Sequence, residues 1–138
     1  MRINEWCRVA HDLAVKKGWH EGPPRDTGTL LMLMVSELAE AMEEDRKGNP
    51  PIYQMRRKNY SEPMVTTPHD ADFHGLAAIH NNPDLPIPKP EGLAVELADC
   101  VIRIFDFCGA HKIDLESAIA LKHKYNETRP HRHGGKKY

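Results

Sequence analysis

The sequence predicts an all-α fold, and three observations support this prediction. Four segments carry apolar residues at the three- and four-residue spacing of an amphipathic helix, with helix-breaking residues between them. No segment shows the alternating pattern of a convincing strand. The chain has 138 residues, which is enough for one domain with its own core. We therefore expect a single domain over residues 1–138, built from four helices.

The first two helices are predicted over about residues 3–17 and from Thr27 or Thr29 to Lys47. The first has one apolar stripe, Asn4 as a candidate N-cap and a glycine at its end. The second begins with the apolar run "LLMLMV" and ends at "GNPP", where a glycine and two prolines stop the helix. These two segments therefore form the first half of the predicted fold.

Residues 49–92 interrupt the helical pattern. They contain eight of the eleven prolines of the chain and show no sustained periodicity. A long irregular segment of this kind inside a compact domain is uncommon and is usually functional or disordered. We predict a Pro-rich insertion between the second and third helices, with a candidate short helix near residues 70–81.

The third and fourth helices follow the insertion. The third is predicted over about residues 91–111, and it is apolar on most sides, so we expect it to be central. The fourth is predicted to begin after Asp114, as N-cap, and to run to about Glu127. A basic tail, residues 130–138, ends the chain.

Composition narrows the classes of partner. The chain has 19 basic and 20 acidic residues, so its formal charge of −1 gives no general attraction to nucleic acid or to a membrane surface. Its three cysteines have no CxxC spacing and are expected to be free, buried thiols in a reducing compartment. The sequence shows no signal peptide and no apolar run long enough to cross a membrane. We expect a soluble, cytoplasmic protein with no membrane partner.

Two acidic pairs are the main candidates for chemistry. Glu37 and Glu40 in "SELAE", like Glu96 and Asp99 in "ELAD", are three residues apart, so each pair shares one side of its helix. If the two helices pack against each other, four carboxylates meet, and a cation is needed to neutralise them. Oxygen ligands favour Mg²⁺, or Mn²⁺, over zinc. Glu44, one turn further on, could add an outer-sphere contact.

Other interpretations of these residues stay open at this point. Acidic pairs at this spacing are common on solvated helix faces. A ferritin-like di-iron site would need Glu-x-x-His motifs, and neither pair has a histidine at the fourth position. The "HRH" at residues 131–133 suggests zinc, but no cysteine or acidic residue lies at a suitable spacing, so a basic tail is the better interpretation.

The fourth helix carries a polar face that suits a polyphosphate. Lys122, Tyr125, Asn126 and Arg129 recur at the spacing of one helix face. Arginine can bind phosphate oxygens with two parallel hydrogen bonds, and lysine supplies a point charge. Tyr125 and Trp19 are candidates for stacking on a nucleobase. The alternative is that the basic residues only complement the dipole at the helix C-terminus.

Three motifs together resemble the MazG-type nucleoside triphosphate pyrophosphohydrolases, an all-α family. They are "SELAEAMEEDRKG", "GLAVELADCVIRIFDFCG" and "IDLESAIALKHKYNETRPHRHGGKK". The resemblance implies a four-helix MazG-like bundle interrupted by the insertion at residues 49–92. It also assigns the site of the family to residues already singled out: Glu37, Glu40, Glu96 and Asp99 for the metal, and Lys122, Asn126 and Arg129 for phosphate.

The resemblance also implies a reaction and an assembly. A nucleoside triphosphate would be cleaved to the monophosphate and pyrophosphate with Mg²⁺, and Glu37 is the favoured proton acceptor for the attacking water. A homodimer or homotetramer is expected. The long insertion departs from the pattern of the family and leaves the substrate preference open. The alternative function is a non-catalytic helical adaptor that binds a protein partner through residues 49–92.

Overall fold

The computed structural model of the protein describes residues 1–54, 89–135 and 137, and this part of the chain is helical. It contains five helices and one pair of short strands: α1 (Ile3–Lys16), α2 (Thr27–Arg46), β1 (Tyr53–Gln54), β2 (Pro90–Glu91), α3 (Leu93–Ala110), α4 (Leu115–Glu127) and α5 (Arg132–Gly135). The predicted all-α class is therefore confirmed, and the bundle arrangement stays a prediction. The candidate short helix near residues 70–81 lies outside the described residues. None of the described helices is both long and apolar enough to cross a membrane.

The chain divides into two compact units. One unit, Arg25–Val101, contains α2, the strand pair and the first part of α3. The other combines Met1–Pro24 with Ile102–Tyr138 and contains α1, the rest of α3, α4 and α5. The candidate metal ligands all belong to the first unit, and the polar face of the fourth predicted helix belongs to the second.

In the unit Arg25–Val101, helix α2 begins where the sequence predicts. Asp26 is its N-cap, and the Asp26 carboxylate accepts hydrogen bonds from the backbone N–H (3.0 Å) and the hydroxyl (2.6 Å) of Thr29. These hydrogen bonds lower the pKa of Asp26, because they stabilise its charged form. The helix ends at Arg46, and Gly48 follows with a φ of 67°.

A short antiparallel strand pair lies between α2 and α3 in this unit. Tyr53 pairs with Glu91, and Gln54 pairs with Pro90. The sequence shows no convincing strand at either position, because strands of two residues are too short to produce an alternating pattern. The backbone N–H of Ala94, in the first turn of α3, also donates to the carbonyl of Pro51 (2.9 Å). The chain after α2 is thereby held against the start of α3.

In the second unit, α1 and the C-terminal part of α3 approach each other closely at Gly109. A Cβ atom at this position would lie 2.5 Å from the carbonyl oxygen of Cys7, so only glycine fits. Cys7 and Cys108 are buried and free, as is Cys100 in the other unit. Burial raises the pKa of both the Cys7 and the Cys108 thiol, so both stay protonated at neutral pH. The expectation of free, buried thiols is therefore confirmed.

Asn4 has a different role from the predicted one. The N-cap of α1 is Arg2, whose backbone N–H donates to the Glu5 carboxylate (2.9 Å). The Asn4 amide instead donates to Asp114 (2.7 Å), the N-cap of α4, and accepts from the backbone N–H of Glu116 (3.2 Å). The hydrogen bond from Asn4 is the main reason that the pKa of Asp114 falls to about 2. Asn4 therefore joins the starts of α1 and α4.

The buried apolar residues of the described chain are all small. They are Cys7, Ala10, Ala41, Cys100 and Cys108. Helix α3 supplies two of them, and three of its large apolar residues, Leu97, Val101 and Ile102, are more than two-fifths exposed. Large apolar side chains thus lie at the surface of both units, where a further chain could cover them.

Replacement of Gly92 should destabilise the fold. Gly92 is buried and has a φ of 111°, and an added Cβ would lie 2.7 Å from the carbonyl oxygens of both Pro50 and Pro51. We expect Gly92→Ala to lower the free energy of unfolding by about 2 kcal/mol or more, because backbone strain and a steric clash add together. Urea unfolding followed by circular dichroism measures the change.

Gly48→Ala is the matched control for this prediction. Gly48 also has a positive φ of 67°, but no atom lies within 4 Å of an added Cβ. Its substitution should cost about 1 kcal/mol, from the backbone conformation alone. Equal losses in the two variants would show that the close approach of the Pro50–Pro51 backbone to Gly92 contributes nothing.

Candidate functional site

Three of the four predicted metal ligands come together in the unit Arg25–Val101. Glu37 projects from α2, and Glu96 and Asp99 project from α3. One carboxylate oxygen from each of these residues lies within 4.8 Å of the other two. Glu37 is only 6% exposed and Glu96 only 8%, whereas Asp99 is exposed. The group is therefore buried at one side and open to solvent at the other.

The surroundings of Glu96 disfavour its charged form. The pKa of Glu96 is raised, first by burial and then by the negative charges of Glu40, Asp99, Glu37 and Glu91, in decreasing order. Each of these effects disfavours the ionised form of Glu96. A bound cation would favour that form instead, so the site has the electrostatic character of a cation-binding centre.

Glu40, the fourth predicted ligand, is close to Glu96 but is not one of the three clustered residues. It is exposed and does not belong to the group of oxygens within 4.8 Å of one another. Its charge nevertheless affects the pKa of Glu96 more than that of any other neighbour does. Glu40 therefore lies near the three-residue group, and its role as a fourth ligand stays a prediction.

Two residues that precede α3 were missed by the sequence analysis. The Lys89 ammonium group forms an ion pair with the Glu91 carboxylate (2.8 Å). The pKa of Lys89 is raised mainly by this hydrogen bond and, to a smaller extent, by the charges of Glu96 and Asp99. Neither residue belongs to an acidic pair at helical spacing, so only the charges in "KPEG" could have indicated them. They add one negative and one positive charge to the surroundings of the group.

Glu44 has its own hydrogen-bond partners. Its carboxylate accepts hydrogen bonds from the Asn49 amide (2.9 Å), the Tyr53 hydroxyl (2.9 Å) and the Lys47 ammonium group (3.3 Å). The bonds from Asn49 and Tyr53 are the largest causes of the lowered pKa of Glu44. Burial and the bond to Glu44 together raise the pKa of Tyr53 to about 12. In place of the predicted outer-sphere contact, Glu44 therefore connects α2 to the start of the strand pair.

The donor set fits a hard divalent cation. Glu37, Glu96 and Asp99 offer only carboxylate oxygens, which are the ligands that Mg²⁺ and Mn²⁺ prefer. Mg²⁺ commonly keeps several of its water ligands and takes only one or two protein carboxylates, and the exposed side of the group leaves room for such water. No sulfur or imidazole ligand belongs to this group, so its chemistry is unlike that of a structural zinc site.

The predicted polar face lies on α4, in the unit that contains Ile102–Tyr138. The Lys122 ammonium nitrogen lies 4.9 Å from the centroid of the Tyr125 ring, and the Arg129 guanidinium carbon lies 5.9 Å from it. Lys122 on α4 and Arg129, two residues after its end, therefore lie near the same aromatic ring. Asn126 and Trp19 are exposed. That these five residues bind a nucleotide stays a prediction.

Removal of one negative charge from the acidic group should stabilise the protein in the absence of metal. We expect Glu96→Gln to raise the free energy of unfolding at pH 7 in the presence of a chelator. The pKa of Glu96 is higher in the folded protein than its ordinary value of 4.5. As the pH rises from about 4.5 through the folded-state pKa, Glu96 ionises more readily in the unfolded chain, so the free energy of unfolding of wild type falls. The gain should therefore shrink as the pH falls toward 4. Urea unfolding over this pH range measures it.

Glu43→Gln is the control for the effect of charge on stability. Glu43 lies on α2, is exposed and pairs with Arg46 (2.8 Å). Its replacement should leave stability nearly unchanged, because exposed ion pairs contribute little. A loss of stability in Glu96→Gln would instead show that the Glu96 carboxylate is a structural hydrogen-bond acceptor.

The sequence motifs suggested a relationship that comparison with known proteins could test. No protein-family model, curated protein or solved structure matches the chain. The resemblance to the MazG-type family therefore stays a prediction from three short motifs. What the structure adds is the placement of Glu37, Glu96 and Asp99 in one group, which is independent of any family assignment.

Proposed function

We propose that this protein is a Mg²⁺-dependent nucleoside triphosphate pyrophosphohydrolase of the MazG type. It would act in the cytoplasm and cleave a ribo- or deoxyribonucleoside triphosphate with one water molecule, giving the monophosphate and pyrophosphate. The observation that carries the proposal is the convergence of Glu37, Glu96 and Asp99 on one point. These acids come from the two motifs that resemble the metal-binding motifs of that family.

The residues of the chain have distinct roles in this proposal. Glu37, Glu96 and Asp99 would hold Mg²⁺, which when bound neutralises charge on the triphosphate and makes a coordinated water more acidic. Glu40 is now a better candidate than Glu37 for the acceptor of the water proton. It is exposed, lies beside the group and is not one of the three clustered carboxylates, whereas Glu37 is buried within the group.

The phosphate groups require positive charge and hydrogen-bond donors. Lys122 on α4 and Arg129, two residues after its end, would provide the charge, and Asn126 an amide donor, for the β and γ phosphates that leave as pyrophosphate. The contacts of both cations with the Tyr125 ring support this role, because they keep the two charges on the same side of the helix. Trp19 and Tyr125 are exposed aromatic side chains on which the nucleobase could stack.

The assembly proposed with this function is a homodimer or homotetramer. The four long helices leave large apolar side chains exposed, and a monomer would leave them in contact with water. On α2 and α3 these side chains are those of Leu31, Met32, Val35, Leu38, Met42, Leu97, Val101 and Ile102. A second copy of the chain that covers them would bury apolar area, which supports the oligomeric form of the enzyme.

The alternative function is the non-catalytic adaptor. An adaptor has no need of clustered buried carboxylates, which cost stability unless a ligand offsets their repulsion. Glu37 and Glu96 are both buried, and the pKa of Glu96 is raised. This arrangement favours the enzyme, and the assay below distinguishes the two.

Glu37→Gln should abolish pyrophosphate release. We expect wild type to release pyrophosphate from at least one member of a panel of ribo- and deoxyribonucleoside triphosphates only when Mg²⁺ is present. Loss of one ligand of the group should lower the rate by at least about 100-fold, since even the loss of an outer-shell partner costs up to about that factor. Pyrophosphate release and the Mg²⁺ dependence of thermal stability should be measured on the same samples.

Glu43→Gln, on an exposed position of the same helix, should keep wild-type activity. Undiminished activity in Glu37→Gln would remove the acidic group from the catalytic site. If folded wild type releases no pyrophosphate from any nucleotide and Mg²⁺ leaves its thermal stability unchanged, the adaptor becomes the better proposal.

Arg129→Ala should weaken triphosphate binding with little effect on the fold. A hydrogen bond to a charged group is worth about 1.5–3 kcal/mol, so we expect KM to rise by about tenfold or more. Steady-state kinetics with the best substrate of the panel measures the change. Lys124→Ala is the control, because Lys124 lies on the same helix but away from the Tyr125 face. Unchanged kinetics in Arg129→Ala would place the phosphate site elsewhere.

A further inference from the structure

A second group of metal-ligating side chains lies in the unit that combines Met1–Pro24 with Ile102–Tyr138. It consists of His11 on α1, His20 just after that helix and Asp106 on α3. One ligand atom from each lies within 4.8 Å of the other two. This group shares no residue with the carboxylates described above, and the proposed reaction does not use it.

The contacts within this group are short and directed. The Asp106 carboxylate lies 2.9 Å from Nδ1 of His11 and 2.8 Å from Nε2 of His20, and the second Asp106 oxygen lies 3.1 Å from Nε2 of His20. The two imidazole rings meet edge to face, with centroids 4.7 Å apart. Asp106, which is distant in sequence from both histidines, is thus brought together with them, and the nitrogen and oxygen atoms of the three side chains lie close to one another.

The side chains of the group are accessible to solvent. The side chains of His11, His20 and Asp106 are 27%, 30% and 22% exposed. A small ion can therefore reach the ligand atoms, and water can occupy any coordination position that the protein leaves open. Three protein ligands and one open position are the arrangement typical of zinc sites that also bind water or a further ligand.

We propose that His11, His20 and Asp106 form a binding site for a divalent transition-metal ion of the zinc type. Two imidazole nitrogens and one carboxylate oxygen suit Zn²⁺, and the three acids of the other group suit a hard cation such as Mg²⁺. The ligand atoms are Nδ1 of His11, Nε2 of His20 and a carboxylate oxygen of Asp106. On binding, each neutral ring would move its proton to its other nitrogen, which leaves the lone pair of the ligand nitrogen to the metal.

The consequence of this site is a cross-link within its own unit. The ion would join His11 on α1 and His20 in the turn after it to Asp106 on α3, in addition to the contact at Gly109. Tighter binding of the ion would stabilise the folded chain more. The protein would then carry two centres of different chemistry. One would be an all-oxygen group for Mg²⁺, and the other a mixed nitrogen and oxygen group for Zn²⁺.

The test is a metal titration of the full-length, untagged protein. Zn²⁺ binding is measured by calorimetry, and Co²⁺ binding by visible absorption, both in an excess of Mg²⁺ that occupies hard-ligand sites. We expect wild type to bind Zn²⁺ and to give a Co²⁺ spectrum with nitrogen ligands. In His20→Ala the Zn²⁺ affinity should fall by at least about 100-fold, because loss of a ligand exceeds the loss of an outer-shell partner.

Matched variants separate this site from the others that could hold the ion. Glu37→Gln alters only the carboxylate group and should leave Zn²⁺ binding unchanged. A double variant, His131→Ala with His133→Ala, removes two histidines of the tail and should also leave it unchanged. If His20→Ala fails to fold, His20→Gln serves instead, because its amide can still donate to Asp106 and preserve the metal-free contact.

Three results would overturn the proposal. They are the absence of Zn²⁺ binding and of a Co²⁺ spectrum in wild type, an unchanged Zn²⁺ affinity in folded His20→Ala or His20→Gln, and a loss of Zn²⁺ binding in Glu37→Gln. The last result would place the ion in the carboxylate group. None of these outcomes depends on nucleotide hydrolysis, so this inference and the proposed function can fail independently.

Discussion

The closeness of the Glu37, Glu96 and Asp99 carboxylates is the feature on which the proposed metal site depends. One oxygen of each residue lies within 4.8 Å of the other two, and two unit charges at that distance repel by about 3.5 kcal/mol at an effective dielectric constant of about 20. A proton or a cation reduces such a repulsion. Burial and the neighbouring carboxylates raise the pKa of Glu96, so this side chain holds a proton more readily than a free glutamate does.

Glutamates on neighbouring helices of the same unit show how the surroundings decide the behaviour of one chemical group. Glu44 is buried and receives hydrogen bonds from Asn49, Tyr53 and Lys47, and its pKa is lowered. Glu96 is equally buried but is surrounded by other carboxylates, and its pKa is raised. The hydrogen bonds to Glu44 stabilise its charged form. The carboxylates around Glu96 disfavour its charged form, and a ligand of opposite charge would favour it.

The sequence predicted the bounds of the helices better than it predicted which residues contact one another. Apolar spacing, the N-cap at Asp114 and the stop at "GNPP" located all four long helices to within about two residues at each end. Spacing also placed Glu96 and Asp99 on one side of α3. It could not show that Glu37 is buried while Glu40 is exposed, because i and i+3 positions differ in depth once a helix is partly covered.

Residues linked only through the folded chain escaped prediction altogether. Asn4 was expected to cap its own helix and instead binds Asp114. Nothing in the local sequence around His11, His20 or Asp106 indicates that they meet, since each stands in a different helical or turn context. Contacts of this kind depend on how helices pack, and a periodic pattern contains no information on which helix comes next to which.

The strand pair has a consequence for how this protein can vary. It brings residue 54 beside residue 90, while Gly92 and the carbonyl of Pro51 fix the start of α3. A segment of any length that connects residue 54 to residue 89 therefore begins and ends at the same strand pair, β1 and β2. A change in the length or composition of that stretch would leave the paired strands in place, so the segment could vary separately from α2 and α3, which carry Glu37 and Glu96.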